Sequence, residues 1–201
     1  MDLFLIRHGQ SEADILNVHE GRADFPLTQL GIRQADAMAR WIVGEYALER
    51  IYASTLKRAA QTAQVLADTC GLPIVWEPGL MERDNGLLAG LSRDEAALKY
   101  PDEPNLPIHR APYGKEPLLD LRCRAERVLS KIIEESKGLN TVAIVSHGGM
   151  INQMWHCFLH LPLESGIIFH TADTGIHSLR ITEKGKSVLF ANATAHLHAI
   201  K

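Results

Sequence analysis

The sequence has no excess of positive charge and no long apolar run, and each shortage excludes a class of protein. Its 201 residues carry a formal net charge of −3 with histidine neutral, whereas a protein that binds nucleic acid without sequence preference is normally basic. We therefore expect no nucleic-acid partner, and any positively charged site must be local. No segment approaches the roughly 18 uninterrupted apolar residues of a membrane span, so we expect no membrane partner either.

Cysteine is also scarce, and its spacing predicts a protein with reduced thiols. The three cysteines are Cys70, Cys123 and Cys157, and they form no C-x-x-C pair. This pattern favours free thiols over a disulfide framework. The first apolar run, residues 3–6, is far too short for the apolar region of a signal peptide. We therefore expect a cytoplasmic protein.

Length and composition predict a single globular domain over residues 1–201. A hydrophobic share of 46% with 22% charged residues is ordinary for a folded protein, and the length suits one good core. The least regular stretch is 101–117, which contains five prolines. We interpret the surrounding segment, about 76–117, as a small cap or loop insertion, and we expect a monomer or a homodimer.

Strand and helix patterns alternate along the chain. The predicted strands are 3–6, 50–53, 74–76, 141–146 and a C-terminal hairpin of 176–182 with 188–193. The predicted helices begin at Thr28, at Ser54-Thr55, at Ser92 and at Leu118, and a last one follows His147 to about His160. This alternation predicts a three-layer α/β/α fold with a mainly parallel central sheet. Such sheets bind ligands at the carboxyl ends of their strands.

Cationic and imidazole side chains follow three of these strands. Arg7 and His8 follow the first strand, Arg58 lies in the first turns of the helix after the second, and His147 directly follows 141–146. Because the carboxyl ends of parallel strands meet at one edge, these groups can converge on one anion. An imidazole can attack phosphorus, and a guanidinium can bind two phosphoryl oxygens in its planar fork.

Two further features support a phosphate site. Gly148 and Gly149 allow the backbone to approach an anion, and the helix that they open directs its N–H groups outward. Glu82 lies in an irregular segment after the 74–76 strand, where a carboxyl group can serve as general acid. Asp84 is an alternative proton donor. We expect no metal and no cofactor, because arginine and histidine supply the positive charge.

Together these motifs resemble the histidine phosphatase superfamily, in its cofactor-dependent phosphoglycerate mutase-like branch. The matching stretches occur in the family's order and span nearly the whole chain: 5–12, 26–28 with Gly31, 54–63, Glu82 with Gly86 and Gly90, and 145–149. The resemblance implies that His8 is the nucleophile and that Glu82 protonates the leaving oxygen. It also implies that Arg7, Arg58 and His147 bind the phosphoryl group.

The chain departs from the family pattern at the sixth residue after the nucleophile. The family usually has Asn there, and this chain has Asp14, an anion near a dianionic substrate. Either Asp14 points away, or Asn17 replaces the usual contact, or phosphate affinity is reduced. We interpret Glu12 and Glu20 in the same region as exposed loop acids.

The resemblance leaves three functions open. The leading hypothesis is a metal-independent phosphatase that hydrolyses small phosphorylated metabolites through a phosphohistidine. The second is a phosphoglycerate mutase, which the absence of the mutases' adjacent arginines disfavours, since this chain offers only His109-Arg110. The third is a phosphate-binding module without turnover, which the presence of both His8 and Glu82 disfavours.

Overall fold

A six-stranded sheet organises the described part of the protein, which in this computed structural model comprises residues 1–198 and 200. The strands are β1 (Asp2–Arg7), β2 (Arg50–Ala53), β3 (Ile74–Trp76), β4 (Thr141–Ser146), β5 (Ile176–Thr182) and β6 (Gly185–Ala193). The helices are α1 (Glu12–Leu16), α2 (Gln29–Glu45), α3 (Lys57–Cys70), α4 (Arg93–Lys99), α5 (Leu118–Glu135) and α6 (Gly148–Phe158). Short 3-10 turns cover Pro78–Leu80, Gly86–Leu88 and Ala195–Leu197.

The strand order is β3-β2-β4-β1-β5-β6. Strands β1 to β4 run parallel to their neighbours among themselves, while β5 and β6 are antiparallel additions at one side. Arg7 pairs with Ser146, so that the residues after β1 and after β4 leave the sheet side by side. Ala53 pairs with Val145, which brings the end of β2 to the same edge.

The two faces of β1 bury their side chains in two separate cores. Leu3 and Leu5 pack in one cluster with residues of α5 and α6, and Phe4 and Ile6 pack in the other with residues of α2 and α3. Helices therefore cover both faces of the sheet, as the period-two alternation of a strand requires. The expected α/β fold with a mainly parallel central sheet is confirmed.

Several predicted helix ends match the structure. The Thr28 hydroxyl accepts from the N–H of Gly31 at the start of α2, and the Ser92 hydroxyl accepts from the N–H of Glu95 at the start of α4. Helix α3 ends at Gly71, which has a left-handed φ of 72°. Glycine suits that position because it has no Cβ to clash there.

The predicted start of α3 at Ser54-Thr55 is wrong. The helix begins at Lys57, and Leu56 is its N-cap without a side-chain hydrogen bond. The Ser54 side chain is engaged elsewhere, because its Oγ lies 2.8 Å from Nε2 of His147 and accepts from the N–H of Leu56. Helix α1 was not predicted.

Within the described residues, none of the helices has the length and apolar character needed to cross a bilayer. Cys70, Cys123 and Cys157 all have free thiols. Between β3 and α5, over the segment predicted to form a cap, the chain forms two 3-10 turns and α4.

Candidate active site

His8 follows β1 and is buried, with 1% of its surface exposed. Its Nδ1 lies 2.7 Å from the carbonyl oxygen of Gly9, and the Nε–H of Arg58 donates to its Nε2 at 3.2 Å. A guanidinium can only donate, so Nε2 must present a lone pair and the ring proton must sit on Nδ1. The hydrogen bonds thus assign the tautomer in which Nε2 carries the lone pair.

The pKa of His8 lies well below its ordinary value. Burial is the main cause, because it disfavours the imidazolium, and the charges of Arg58 and then Arg7 lower it further. His8 is therefore neutral at physiological pH. A neutral imidazole keeps the lone pair that attack on phosphorus needs.

Arg58 is fully buried at the start of α3, and backbone carbonyls fix its orientation. One terminal nitrogen donates to the carbonyl of Ala23 at 3.0 Å and the other to that of Gly21 at 2.8 Å. Each terminal nitrogen has a second N–H. The guanidinium is thus held in place beside His8, and each terminal nitrogen keeps one N–H that can donate to a ligand.

His147 follows β4, is fully buried, and places its ring 5.1 Å from that of His8. Because Ser54 Oγ already accepts from a backbone N–H, its own hydrogen is available to Nε2 of His147. When Ser54 donates this hydrogen, the ring proton of His147 lies on Nδ1, which is buried and has no hydrogen-bond partner among the described residues. Burial, followed by the charge of Arg58, holds the pKa of His147 well below its usual value. In this tautomer, Nδ1 of the neutral His147 can donate to a ligand.

Arg7, the last residue of β1, is anchored at one end only. Its Nη1 donates to the carbonyl of Thr171 at 2.9 Å and lies 3.4 Å from Oδ1 of Asp173. Its Nε is buried and has no partner among the described residues. A Cβ added to Gly148 would lie 3.9 Å from this Nε, so the first residue of α6 packs directly against Arg7.

Glu82 faces the N-terminus of α6. Its Oε2 accepts from the N–H of Gly149 at 2.9 Å, and its Oε1 accepts from the N–H of Arg83 at 2.7 Å. Arg124 fixes the backbone before it, donating to the carbonyls of Gly79, Met81 and Glu82. The carboxyl group is thus positioned from both sides.

A cavity of about 350 Å³ is lined by Arg7 and Glu82, whereas His8, Arg58 and His147 are not among its lining residues. Its lining residues are Arg7, Asp14, Val18, His19, Glu20, Gly21, Glu82, Arg83, Asn85, Arg93 and Gly149. It contains the predicted acid Glu82 and the predicted phosphate ligand Arg7, and Oε2 of its lining residue Glu20 lies 3.9 Å from Nε2 of His8. A larger cavity of about 460 Å³ runs along α5 and contains none of the predicted catalytic residues.

Three further predicted site residues, Asn17, Gly148 and Asp84, do not line this cavity either. Asn17 is exposed, does not line this cavity, and accepts from Nε of Arg93 at 3.1 Å. Gly148 lines a neighbouring cavity. Asp84, the alternative acid, lies outside the lining and its carboxylate sits 3.5 Å from Arg22. Asp14 does line the cavity, where it accepts from the N–H of Ser11 and contacts the Ser11 hydroxyl.

Sequence reasoning missed Glu20. It was expected to be an exposed loop acid, but the structure places its carboxylate partly buried in the cavity, 3.4 Å from Nε of Arg58 and 3.9 Å from Nε2 of His8. Burial raises its pKa. No spacing or motif marks this position, because the path between α1 and Gly21 is irregular.

Two residues that position Glu82, Gly149 and Arg124, were not predicted to do so. Gly149 was singled out for close backbone approach, but its hydrogen bond to Glu82 was not foreseen. Arg124 also binds the Glu116 carboxylate at 2.7 Å and 2.9 Å. The described residues contain no group of three or more His, Cys, Asp or Glu side chains arranged to hold a metal ion.

The chain matches the histidine phosphatase superfamily (branch 1) over residues 3–194. It is 31% identical over 170 residues to a Proteus mirabilis protein named "Probable phosphoglycerate mutase GpmB", with 81% of this chain and 76% of that protein covered. It is 33% identical over 163 residues to a metal-independent phosphoserine phosphatase of Arabidopsis thaliana, covering 77% of this chain and 67% of that protein.

A solved structure is similar over nearly the whole length. A mutant phosphoserine phosphatase of Entamoeba histolytica, solved in complex with phosphoserine, superposes with a TM-score of 0.79 at 25% identity and with 98% of both chains covered. The resemblance expected from the sequence motifs is confirmed. The chain belongs to the histidine phosphatase superfamily, branch 1.

Proposed function

We propose that the protein is a metal-independent phosphomonoesterase that forms a phosphohistidine at His8. The observation that carries the proposal is the hydrogen bond from Arg58 Nε to His8 Nε2. It fixes the neutral tautomer that carries its lone pair on Nε2, beside a cation. Attack on phosphorus follows when the Nε–H of Arg58 turns from this lone pair to an oxygen of the entering phosphoryl group.

In the first step, the Nε2 lone pair of His8 forms a bond to phosphorus while the bond from phosphorus to the ester oxygen breaks. The leaving oxygen takes a proton from Glu82. Arg7, Arg58 and the Nδ1–H of His147 neutralise charge on the three remaining phosphoryl oxygens. The Gly9 carbonyl, which accepts from Nδ1 of His8, stabilises the positive charge on the phosphorylated ring.

In the second step, a water molecule attacks phosphorus and the nitrogen–phosphorus bond breaks. The water gives its proton to the Glu82 carboxylate, which restores the acid, and Nε2 recovers its lone pair. Inorganic phosphate leaves. The same residue thus serves as acid and then as base.

The substrate class that fits best is a small phosphorylated metabolite. The cavity of about 350 Å³ suits a small molecule, and the Entamoeba histolytica relative was solved with phosphoserine. Free Cys70, Cys123 and Cys157 support a cytoplasmic location. The relative named as a mutase keeps isomerase activity as the second candidate. An increase in conversion of 3-phosphoglycerate to 2-phosphoglycerate on adding a bisphosphorylated primer would establish it.

The deciding experiment is chemical trapping of the phosphoenzyme. A rapid-quench reaction with a labelled phosphomonoester should place an acid-labile, base-stable label on the wild type. His8→Ala should remove the label and nearly all phosphate release, whereas His109→Ala, at an exposed histidine, should change neither. Near wild-type turnover by a folded His8→Ala variant would exclude the mechanism. Loss of wild-type activity on dialysis against a chelator, restored by a divalent ion, would exclude metal independence.

A further inference from the structure

The Glu20 carboxylate occupies the space in front of the nucleophile. Its Oε2 lies 3.9 Å from Nε2 of His8, and its Oε1 lies 3.4 Å from Nε of Arg58. A reacting phosphorus has to approach a nucleophile to about 3–3.5 Å, and its oxygens have to reach the same guanidinium. A bound phosphoryl group and the Glu20 side chain in this position therefore exclude each other.

Hydrogen bonding holds Glu20 in that place. The Ser11 hydroxyl donates to Oε1, and the same hydroxyl contacts Asp14. The carbonyls of Gly21 and Ala23 accept from the terminal nitrogens of Arg58 and hold its guanidinium beside Glu20. Glu20 itself must therefore leave this position when a phosphate enters.

We propose that Glu20 is a proton-controlled gate of the phosphate pocket. As a carboxylate it competes with the substrate for Arg58 and repels a phosphate dianion. As a carboxylic acid it no longer binds Arg58 as an anion, and its O–H can donate to a phosphoryl oxygen. This proposal rests on the proposed function, because it assigns the pocket beside His8 to a phosphoryl group.

The surroundings of Glu20 shift its protonation and so make this gate sensitive to pH. Burial raises the pKa of Glu20, and the nearby Asp14 acts in the same direction, while Arg58, the Ser11 hydroxyl and Arg7 oppose the rise. A group with a raised pKa is protonated in a larger fraction of molecules as the pH falls. The pocket should therefore accept a dianion better under mildly acidic conditions.

Other titratable groups face the same space and have to be separated from Glu20. From β1 and β4 come His8 and His147, whose pKa values lie well below the ordinary one, so both stay neutral. Asp173 contacts Arg7, and burial raises its pKa too. His19 lines the cavity, with its pKa lowered mainly by burial. Glu82 lies across the cavity.

The test measures binding of inorganic sulfate by calorimetry. Sulfate is a tetrahedral dianion that does not titrate between about pH 5 and pH 8, so any pH dependence of its affinity comes from the protein. The wild type should lose about tenfold or more in affinity over that range, since each fully titrating charge contributes up to about tenfold per pH unit. Glu20→Gln should bind sulfate about tenfold more tightly than the wild type at the upper end and show little pH dependence.

Variants at other titratable residues separate the contribution of Glu20 to the pH dependence from theirs. Glu12→Gln removes the same charge from the same region at an exposed position outside the cavity lining, and its affinity profile should follow the wild type. Asp173→Asn and His19→Gln should retain most of the pH dependence. If either abolishes it while Glu20→Gln keeps it, the gate is assigned to the wrong residue.

A variant at Ser11 tests whether the pH dependence of sulfate affinity comes from the ionisation of Glu20. Ser11→Ala removes the hydroxyl that stabilises the ionised form of Glu20, so the affinity midpoint should move to higher pH. In Ser11→Ala with Glu20→Gln, that movement should vanish. An unchanged midpoint in Ser11→Ala would overturn the proposal.

Failure of the gate and failure of the proposed function give different results. If Glu20→Gln and the wild type bind sulfate equally at every pH and both form a phosphoenzyme on His8, only the gate is overturned. If neither protein binds sulfate or forms a phosphoenzyme, the phosphate pocket itself is wrong, and the gate is overturned with it.

Discussion

Gly149 donates its backbone N–H to Oε2 of Glu82 at 2.9 Å, and a Cβ added to Gly149 would meet that same carboxyl group, 3.1 Å from its carbon. Because residue 149 is glycine and has no Cβ, the Glu82 carboxyl group can come close enough to accept this hydrogen bond. The start of α6 therefore positions the Glu82 carboxyl group, the proposed proton donor.

The close approach predicts that Gly149→Ala impairs catalysis by displacing Glu82. We expect kcat on alkyl phosphates to fall by about tenfold to a hundredfold, a substantial part of what general acid catalysis contributes. Gly148→Ala is the matched control, because a Cβ there makes only an ordinary contact, 3.9 Å from Arg7 Nε. Steady-state kinetics of both variants provide the measurement, and equal losses would show that backbone substitution here harms the site generally.

Glu82→Gln should slow reactions according to the leaving group. Loss of general acid catalysis typically costs about 10²–10⁴-fold, and we expect that loss with alkyl phosphates. With p-nitrophenyl phosphate the loss should be much smaller, since its leaving group needs little protonation. An equal loss on both substrates, measured as kcat, would assign Glu82 a positioning role.

Asp14 lines the cavity while Asn17 does not, and this separates two accounts of the sequence departure. Asp14→Asn should tighten inhibition by inorganic phosphate several-fold, because a screened repulsion of about 1 kcal/mol is removed. This tightening of phosphate inhibition should be larger at low ionic strength, where the repulsion is less screened. Asn17→Ala should leave phosphate inhibition unchanged, since its side chain binds Arg93. The reverse pattern of inhibition constants would assign the phosphate contact to Asn17.

Buried His177 predicts a loss of stability in mild acid. Its Nδ1 accepts from the N–H of Asn192, its Nε2 contacts the Thr171 hydroxyl, and burial lowers its pKa from 6.5 to about 4. Because the folded pKa is below the unfolded one, this stabilisation is complete above about pH 6.5 and is lost as pH falls towards about 4. At about pH 5 the loss from this residue amounts to about 2 kcal/mol.

Urea unfolding at neutral pH and at about pH 5 measures this contribution. His177→Gln should lose less free energy of unfolding between the two conditions than the wild type, because glutamine has no proton to gain. An identical pH-dependent loss in both proteins would show that other groups, His196 among them, account for the acid sensitivity.

The sequence predicted the parts of the site that strand ends position. Arg7, His8 and His147 directly follow buried strands, and the pairing of Arg7 with Ser146 makes those ends adjacent. Glu20 could not be found in this way. Its place depends on α1, a five-residue helix whose C-cap Asn17 has a left-handed φ of 52°. Helices this short lack stability of their own and give little sequence signal.

The start of α3 is a second feature that local sequence patterns could not predict. Ser54 looks like an N-cap by local preference, and residues of its type commonly cap helices. Its hydroxyl instead contacts His147, a residue that is distant in sequence and reaches it only through the pairing of β2 with β4. A tertiary contact thus overrides a local one, and no local pattern reports it.

The order of strands in the sheet has a consequence for how the enzyme becomes active during its synthesis. Strand β1 leaves the ribosome before the other five strands of this sheet, and it lies between β4 and β5, which are made much later. His8 therefore cannot acquire its buried environment until the chain has passed residue 146 and β4 has docked. Until then its imidazole is an ordinary hydrated side chain that also gains protons readily. Phosphoryl-transfer capacity should consequently arise late and all at once, together with the cooperative closure of the sheet.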